Sequence, residues 1–212
     1  MLKADLHLHV CNDPKDGKSI KYNVKELIDF MSKKGFDVIA LTPHLYNNID
    51  EGIKEYAKTK NILLIFGAEL RLEGKDILVY NFNNKLEKVK KIKDLKKVKS
   101  KNNLIIAPHP FFFPHSLRKK LIKNIKIFDA IEYSHFYTKK FNLNKKAVKV
   151  SKRYNIPLIG NSDTHHFCQV GQTYTYINSK KEINSIFNAI RKGNVQLKTR
   201  PLCIKKFLKI FL

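Results

Sequence analysis

Short apolar runs recur along this chain and end in polar residues, and that recurrence is what most constrains its fold. The runs are "KADLHLHV" (3–10), "DVIALTPH" (37–44), "NILLIFGAEL" (61–70), "DILVYNF" (76–82), "NLIIAPHP" (103–110), "FDAIEYSH" (128–135) and "IPLIGNSD" (156–163). Most are apolar without interruption, as expected of strands covered on both faces, and helical or long connections separate them. That is the pattern of a parallel α/β sheet. No glycine-rich phosphate fingerprint follows any of the runs, which disfavours a dinucleotide fold and leaves a closed or nearly closed barrel as the better expectation.

The connections carry their own signals. "NVKELIDFMSKKG" sets Val24, Leu27, Ile28 and Met31 on one helical face, with Asn23 and Glu26 as a capping box and Gly35 as the stop. Further helices are expected over 50–59, over 143–154 with Ala147, Val150 and Tyr154 inward, and over the Lys-rich segment 85–101, where Leu86, Val89, Ile92, Leu95 and Val98 recur. A last helix carries Ile183, Ile186, Phe187 and Ile190, with a capping box from Ser179 to Glu182 and Gly193 as its stop. No repeat or linker divides the chain, so residues 1–212 read as one domain ending in a basic amphipathic tail, 195–212. In that tail Phe207, Ile210 and Phe211 alternate with Lys205, Lys206 and Lys209.

In the opening run strand alternation puts Asp5, His7 and His9 on one face and Leu6, Leu8 and Val10 on the other. The same kind of chemistry ends the other runs: His44, Glu69, His109, His135, and then Asp163 with His165, while His115 and His166 lie nearby. In parallel barrels the C-terminal strand ends form the active face. Imidazoles and carboxylates gathered at one mouth would suffer desolvation and mutual repulsion unless a cation bound them. The constellation therefore predicts a multinuclear metal site. Nitrogen and oxygen donors without thiolate suit Zn, Mn or Fe, and an open position suits hydrolysis.

Composition narrows the partners. The net charge of +24 would attract nucleic acid, phosphorylated metabolites or an anionic surface. Only five of the 42 basic residues are arginine, however (Arg71, Arg118, Arg153, Arg191 and Arg200), whereas dedicated phosphate readers favour arginine; the lysine, asparagine and isoleucine excess resembles compositional drift of surface positions. Cys11, Cys168 and Cys203 are scattered and odd in number, as expected of reduced thiols. No uninterrupted apolar stretch is long enough to span a membrane, and the first residues lack the apolar core of a secretion signal, so a cytoplasmic protein is expected.

The motifs "DLHLH", "TPH", "GAE", "APHP" and "GNSDTH", in this order over residues 3 to 166, resemble the polymerase and histidinol phosphatase (PHP) family. The resemblance implies a distorted barrel of seven strands and helices and a metal-dependent phosphoesterase, most commonly a phosphatase of monoesters. It implies that His7, His9, Glu69 and Asp163 surround one metal. Glu69 would bridge to a second bound by His109 and His135, and a third would be held by His44, His165 and Asp16, with Asp13 the competing acid. Two or three divalent ions and a phosphorylated small molecule are thus implied; a nuclease or nucleic-acid-binding module, and tyrosine-phosphatase-like or histidinol-phosphatase-like activity, are the alternatives. The chain departs from the family pattern at Pro43, where many members have an acid, in "DPKDG" after the first motif, at Asp76, where a histidine is frequent, and at His135, where many have asparagine. Arg118 is the expected phosphate contact and His115 the expected acid to the leaving group, while Phe111, Phe112 and Phe113 could wall the substrate.

Overall fold

The computed structural model describes residues 1–44, 51–82, 86, 88–112 and 114–203. All seven runs form strands: β1 (Leu2–Leu8), β2 (Val38–Leu41), β3 (Leu63–Leu72), β4 (Lys75–Tyr80), β5 (Leu104–Ala107), β6 (Ala130–Ser134) and β7 (Leu158–Asn161). Two more follow, β8 (Thr173–Ile177) and β9 (Val195–Thr199), so part of the expected tail is a strand; the apolar positions Phe207, Ile210 and Phe211 lie outside the described residues. The helices are α1 (Val24–Lys33), α2 (Glu51–Thr59), α3 (Leu95–Val98), α4 (Lys119–Lys123), α5 (Asn144–Tyr154) and α6 (Ile183–Arg191). Among the described residues no helix is long and apolar enough to cross a membrane.

The strands form one sheet in the order β7-β6-β5-β4-β3-β2-β1-β8-β9, curled into a nearly closed barrel. Its closure joins distant parts of the chain. Leu8 forms a parallel bridge with Thr164 beyond the end of β7, the Leu6 amide donates to Asn161 Oδ1 at 2.9 Å, and the Ser162 amide donates to Asp5 Oδ1 at 3.1 Å. Below, the Gly160 amide donates to Thr175 Oγ1 at 2.8 Å. At Gly160 a Cβ would sit 2.3 Å from Leu197 Cδ1, 2.7 Å from Thr173 Cγ2 and 3.0 Å from the Tyr174 carbonyl oxygen. Gly160→Ala is therefore expected to destabilise the fold by about 1–3 kcal/mol through overpacking, read as a lower denaturation midpoint.

The wholly parallel sheet expected from the sequence is corrected at two places: β8 runs antiparallel to both β1 and β9, and β4 reverses a second wall. β4 runs antiparallel to both β3 and β5, because β3 turns directly into β4 through Glu73 and Gly74, with no helical crossover. The continuous helix expected over 85–101 is also absent among the described residues, where a 3₁₀ turn, Ile92–Asp94, leads into the single turn of α3. A strict three-residue spacing drifts around an α-helix but stays in line on a 3₁₀ turn, so Leu86, Val89, Ile92 and Leu95 are buried, and Val98 partly so, without one long helix. The capping box at Asn23 and Glu26 is present on α1. The one expected at Ser179 is not: Glu182 is itself the N-cap of α6, and Ser179 Oγ donates to the Lys180 carbonyl.

Packing sorts the strand residues into an inner and an outer set. Leu6, Val38, Ala40, Ile65, Leu78, Tyr80, Leu104, Ile106 and Ile159 fill the barrel against Ile186, Phe187 and Ile190 of α6, whereas Leu8, Ile39 and Leu41 pack outward with Leu27 and Ile28 of α1. Simple alternation in β1 would group Leu6 with Leu8. A register shift between Asp5 and Leu8 breaks that pattern, as a bulge does, and Leu6 joins the interior while the histidines that follow reach the barrel mouth.

Candidate metal centre

Strand ends bring the predicted residues together. Nε2 of His7 is 3.4 Å from Glu69 Oε2 and 3.4 Å from Asp163 Oδ1, and Nε2 of His9 is 3.5 Å and 3.4 Å from the same two atoms. His44 Nε2 is 3.2 Å from Glu69 Oε2, and His109 Nε2 is 3.0 Å from Glu69 Oε1. Glu69 thus presents one oxygen to three imidazoles and the other to a fourth. Asp16 Oδ2 lies 3.4 Å from His44 Nε2 and 3.5 Å from His165 Nε2.

The rings are aimed from behind. Glu132, fully buried on β6, accepts a hydrogen bond from His7 Nδ1 at 2.9 Å. Asp13 takes His9 Nδ1 at 3.0 Å and His44 Nδ1 at 3.1 Å, and is itself anchored by the amides of Lys15, Asp16 and His44. With Nδ1 engaged in this way, each of these imidazoles presents Nε2 to the middle of the cluster. The sequence left Asp13 and Asp16 as competitors; the structure puts Asp16 at the mouth and Asp13 behind the rings. Glu132 was not anticipated, since an acid inside the apolar run "AIEYS" carries no spacing signal of its own.

Two backbone positions support the arrangement at a conformational cost. His109 has φ 26° and Asp163 φ 46°, both in the left-handed region that side-chain-bearing residues rarely occupy.

Electrostatics follow from the geometry. Burial alone would lower the pKa of His7, but Asp163, Glu132 and Glu69 outweigh it and hold the value well above the ordinary one. His9 behaves likewise through Asp13, Asp163 and Glu69, and His109 is raised to about 9 against its burial by Glu69. Reciprocally, Glu69 and Asp163 are held well below the carboxylate range, burial opposing and the surrounding imidazoles prevailing. Beneath the site burial pushes Asp5 up to about 7, against hydrogen bonds from Ser162.

The donor set fits divalent cations. Nε2 of His7 and Nε2 of His9 are buried without a hydrogen-bond partner, an arrangement that costs free energy unless something else binds them. Two donors each about 2.1 Å from one tetrahedral ion lie about 3.4 Å apart, which is the spacing His7 and His9 keep from Glu69 and Asp163. Groups able to hold an ion are His7, His9 and Glu69; His7, His109 and Asp163; His9, Asp163 and His165; His9, Asp13 and His44; and Glu69, Asp76 and His109.

Two expected residues stand outside these groups: His135 lines the cleft together with His109 and Asp163, and Arg118 does not line it. His135 is in none of these groups among the described residues; its Nε2 meets Gln169 Nε2 at 3.0 Å, and burial lowers its pKa to about 4. Arg118 is exposed at the N-cap of α4 and is not among the residues lining the cleft at the barrel mouth. That cleft, of about 1080 Å³, is lined beside the centre by His115, Lys18, Lys21 and His166, with Phe112 and Phe136 meeting edge to face at 5.9 Å. Phe111 packs against the outer core instead, and Phe113 lies outside the described residues. The three cysteines are free thiols, and Cys168 borders the cleft.

Comparisons with known proteins agree with this fold. The sequence model of the PHP-associated family matches residues 142–195, a stretch that includes Asp163 and His165. An uncharacterized protein of Methanocaldococcus jannaschii is 28% identical over 120 residues, covering 52% of this chain and 68% of the relative. Among solved structures, PsfC from Pseudomonas syringae superposes with a TM-score of 0.66 at 14% identity, covering 100% of this chain and 96% of the other. A protein of Bifidobacterium adolescentis assigned as a metal-dependent phosphoesterase gives 0.55 at 12% identity, over 77% and 87% of the two chains. An amidohydrolase from Chromobacterium violaceum, solved with sulfate and no metal, gives 0.54 at 13%, over 76% and 87%. In its ordered motif series, its PHP-associated match across Asp163 and His165 and its barrel fold, the chain is similar to the PHP family.

Proposed function

We propose that this protein is a metal-dependent hydrolase of phosphate esters that prefers monoesters. The observation that carries the reading is the convergence of His7, His9, Glu69 and Asp163, whose facing donor atoms are separated by 3.4 to 3.5 Å and include two buried, unpartnered imidazole nitrogens. His7, His9, Glu69 and Asp163 would hold one ion, Glu69 and His109 a second, and His44, His165 and Asp16 a third. Bound there, such ions supply an activated water and neutralise charge on the phosphoryl oxygens. The protein's own part is positional. Glu132 and Asp13 fix the tautomers of His7, His9 and His44, and the cleft presents Lys18, Lys21 and His115 to an anionic substrate. His115 is the candidate to pass a proton to the departing oxygen.

The resemblance of the fold to a protein assigned as a metal-dependent phosphoesterase supports the reaction class, and the lysines of the cleft favour phosphate over an uncharged amide. The test uses protein stripped with chelator, reloaded with Zn, Mn or Fe, and assayed on nitrophenyl phosphate and on its bis-ester. Metal-restored turnover led by the monoester is expected; a bis-ester preference would point to a nuclease, and no turnover with any of the metals would end the hydrolase reading. Glu132→Gln is expected to weaken metal binding about 10–100-fold by releasing the His7 ring. Competition against a chelating dye measures this, and unchanged affinity would remove Glu132 from its positioning role.

A further inference from the structure

We propose that the ammonium of Lys15 occupies the third cation position, beside His44 and Asp16, so that the ions around Glu69 load first and a third must displace the lysine; this rests on the metal-centre reading above. The loop after β1 is built to bring Lys15 there. The Lys15 and Asp16 amides both donate to Asp13 Oδ1, at 2.9 and 3.1 Å, and the Gly17 amide donates to the Asp13 carbonyl at 3.0 Å. Gly17 closes this turn so tightly that a Cβ on it would fall 2.2 Å from the Cys11 carbonyl oxygen. The His44 amide donates to Asp13 Oδ2 at 3.0 Å, so one carboxylate fixes both the ring and the segment that bears the lysine.

Lys15 Nζ lies 3.3 Å from His44 Nε2. Because Nδ1 of that ring faces both oxygens of Asp13 at 3.1 Å, the ring proton belongs there, and Nε2 carries the lone pair that a metal would use. The ammonium, with three donors and no acceptor, takes it instead. Nε2 also faces Glu69 Oε2 at 3.2 Å and Asp16 Oδ2 at 3.4 Å, and in this tautomer it has no proton to give to either. Three acceptors so close together call for a cation, and Lys15 supplies one. Asp16 is held below the ordinary carboxylate range, first by its hydrogen bond with His165 and further by the charges of His44 and Lys15.

The ligands expected for a third ion are less closely gathered than those of the first. Asp16 Oδ2 reaches His44 at 3.4 Å and His165 at 3.5 Å, yet among the described residues these three do not form an ion-sized group, as His7, His9 and Glu69 do. Lys15 is exposed on a flexible stem, so its ammonium can withdraw into solvent. A divalent ion and an ammonium repel each other at this range, and the third ion binds only as the lysine leaves.

The test counts ions without using activity. Metal-stripped full-length protein is titrated with MnCl₂ by equilibrium dialysis and analysed for bound manganese, with circular dichroism confirming the fold. Wild type should bind its third ion much more weakly than the first two. Lys15→Met, which keeps the length of the side chain and removes its charge, should tighten that third step about tenfold or more, or reveal a third ion that wild type lacks, and leave the first two steps unchanged. Lys15→Arg, which keeps the charge, should leave the third step weak, and adding His165→Ala to Lys15→Met should abolish the gain. A third step no tighter in Lys15→Met than in wild type, an equal tightening of every step, a gain shared by Lys15→Arg or a gain that survives His165→Ala overturns the role of Lys15 and leaves the metal centre standing. Wild-type protein that binds no manganese, zinc or iron overturns the metal centre itself, and this proposal with it.

Discussion

Glu69→Gln should lower kcat/KM for a nitrophenyl phosphate by on the order of 10³-fold, the largest loss expected of any isosteric change in the protein. Four imidazole nitrogens lie within 3.5 Å of the Glu69 carboxylate: Oε2 lies 3.4 Å from His7, 3.5 Å from His9 and 3.2 Å from His44, and Oε1 lies 3.0 Å from His109. Glutamine keeps the shape and removes the charge that balances those rings and would link two ions. The His109 pKa, held at about 9 chiefly by Glu69 against its burial, should fall toward the ordinary histidine value, which an NMR titration of the ring would follow. Activity retained near the wild-type level, in a variant shown to be folded, would mean that the reaction does not pass through this cluster.

The second large effect is a pH dependence of metal loading. In the metal-free protein His7 and His9 carry pKa values well above normal and His109 is raised to about 9, so their contribution to stability is fully present below about pH 6.5 and is lost as pH rises through the raised values. Glu69, Asp163 and Asp13 are depressed by their histidine partners, so their contribution is present above about pH 4 and is lost on further acidification. The metal-free fold should therefore be firmest in mildly acidic solution and should weaken toward pH 9. Metal requires the deprotonated rings. Its apparent affinity should fall as the pH falls, by up to about tenfold per pH unit for each imidazole proton displaced, and the rise in Tm on adding metal should be greatest on the alkaline side. Calorimetric titrations in two buffers of different ionisation heat count the protons released; a count of zero at neutral pH would contradict the assignment of these imidazoles as ligands.

Much of this arrangement was legible from side-chain type and position. The strand ends were marked by abrupt changes from apolar to ligating residues, and α1 declared itself by its apolar face and its Asn23 cap. What escaped did so for physical reasons. β8 reads "TYTYI", with Thr173 and Thr175 buried and the tyrosines half-buried, so the polar residues point inward and the usual pattern is inverted. The antiparallel β4 was hidden because apolar runs give no direction; only Gly74, with φ 73°, hinted at the tight turn that reverses the chain. Glu132 escaped because its role depends on a neighbour from another strand, His7, 125 residues away.

β1 lies in the middle of the sheet, flanked by β2 and β8, and the contacts that complete its polar surroundings reach to Asn161 and Ser162, more than 150 residues along the chain. On a ribosome, residues 2–8 would emerge long before those partners exist. A nascent chain arrested short of Asn161 would hold His7 and His9 without Asp163, so the pocket can form only late in synthesis. Such dependence on remote pairing slows refolding and leaves partially made chains with sticky, unpaired strand edges. It also makes the first ten residues a poor place to alter the chain, because they form a central stave of the barrel rather than its fringe.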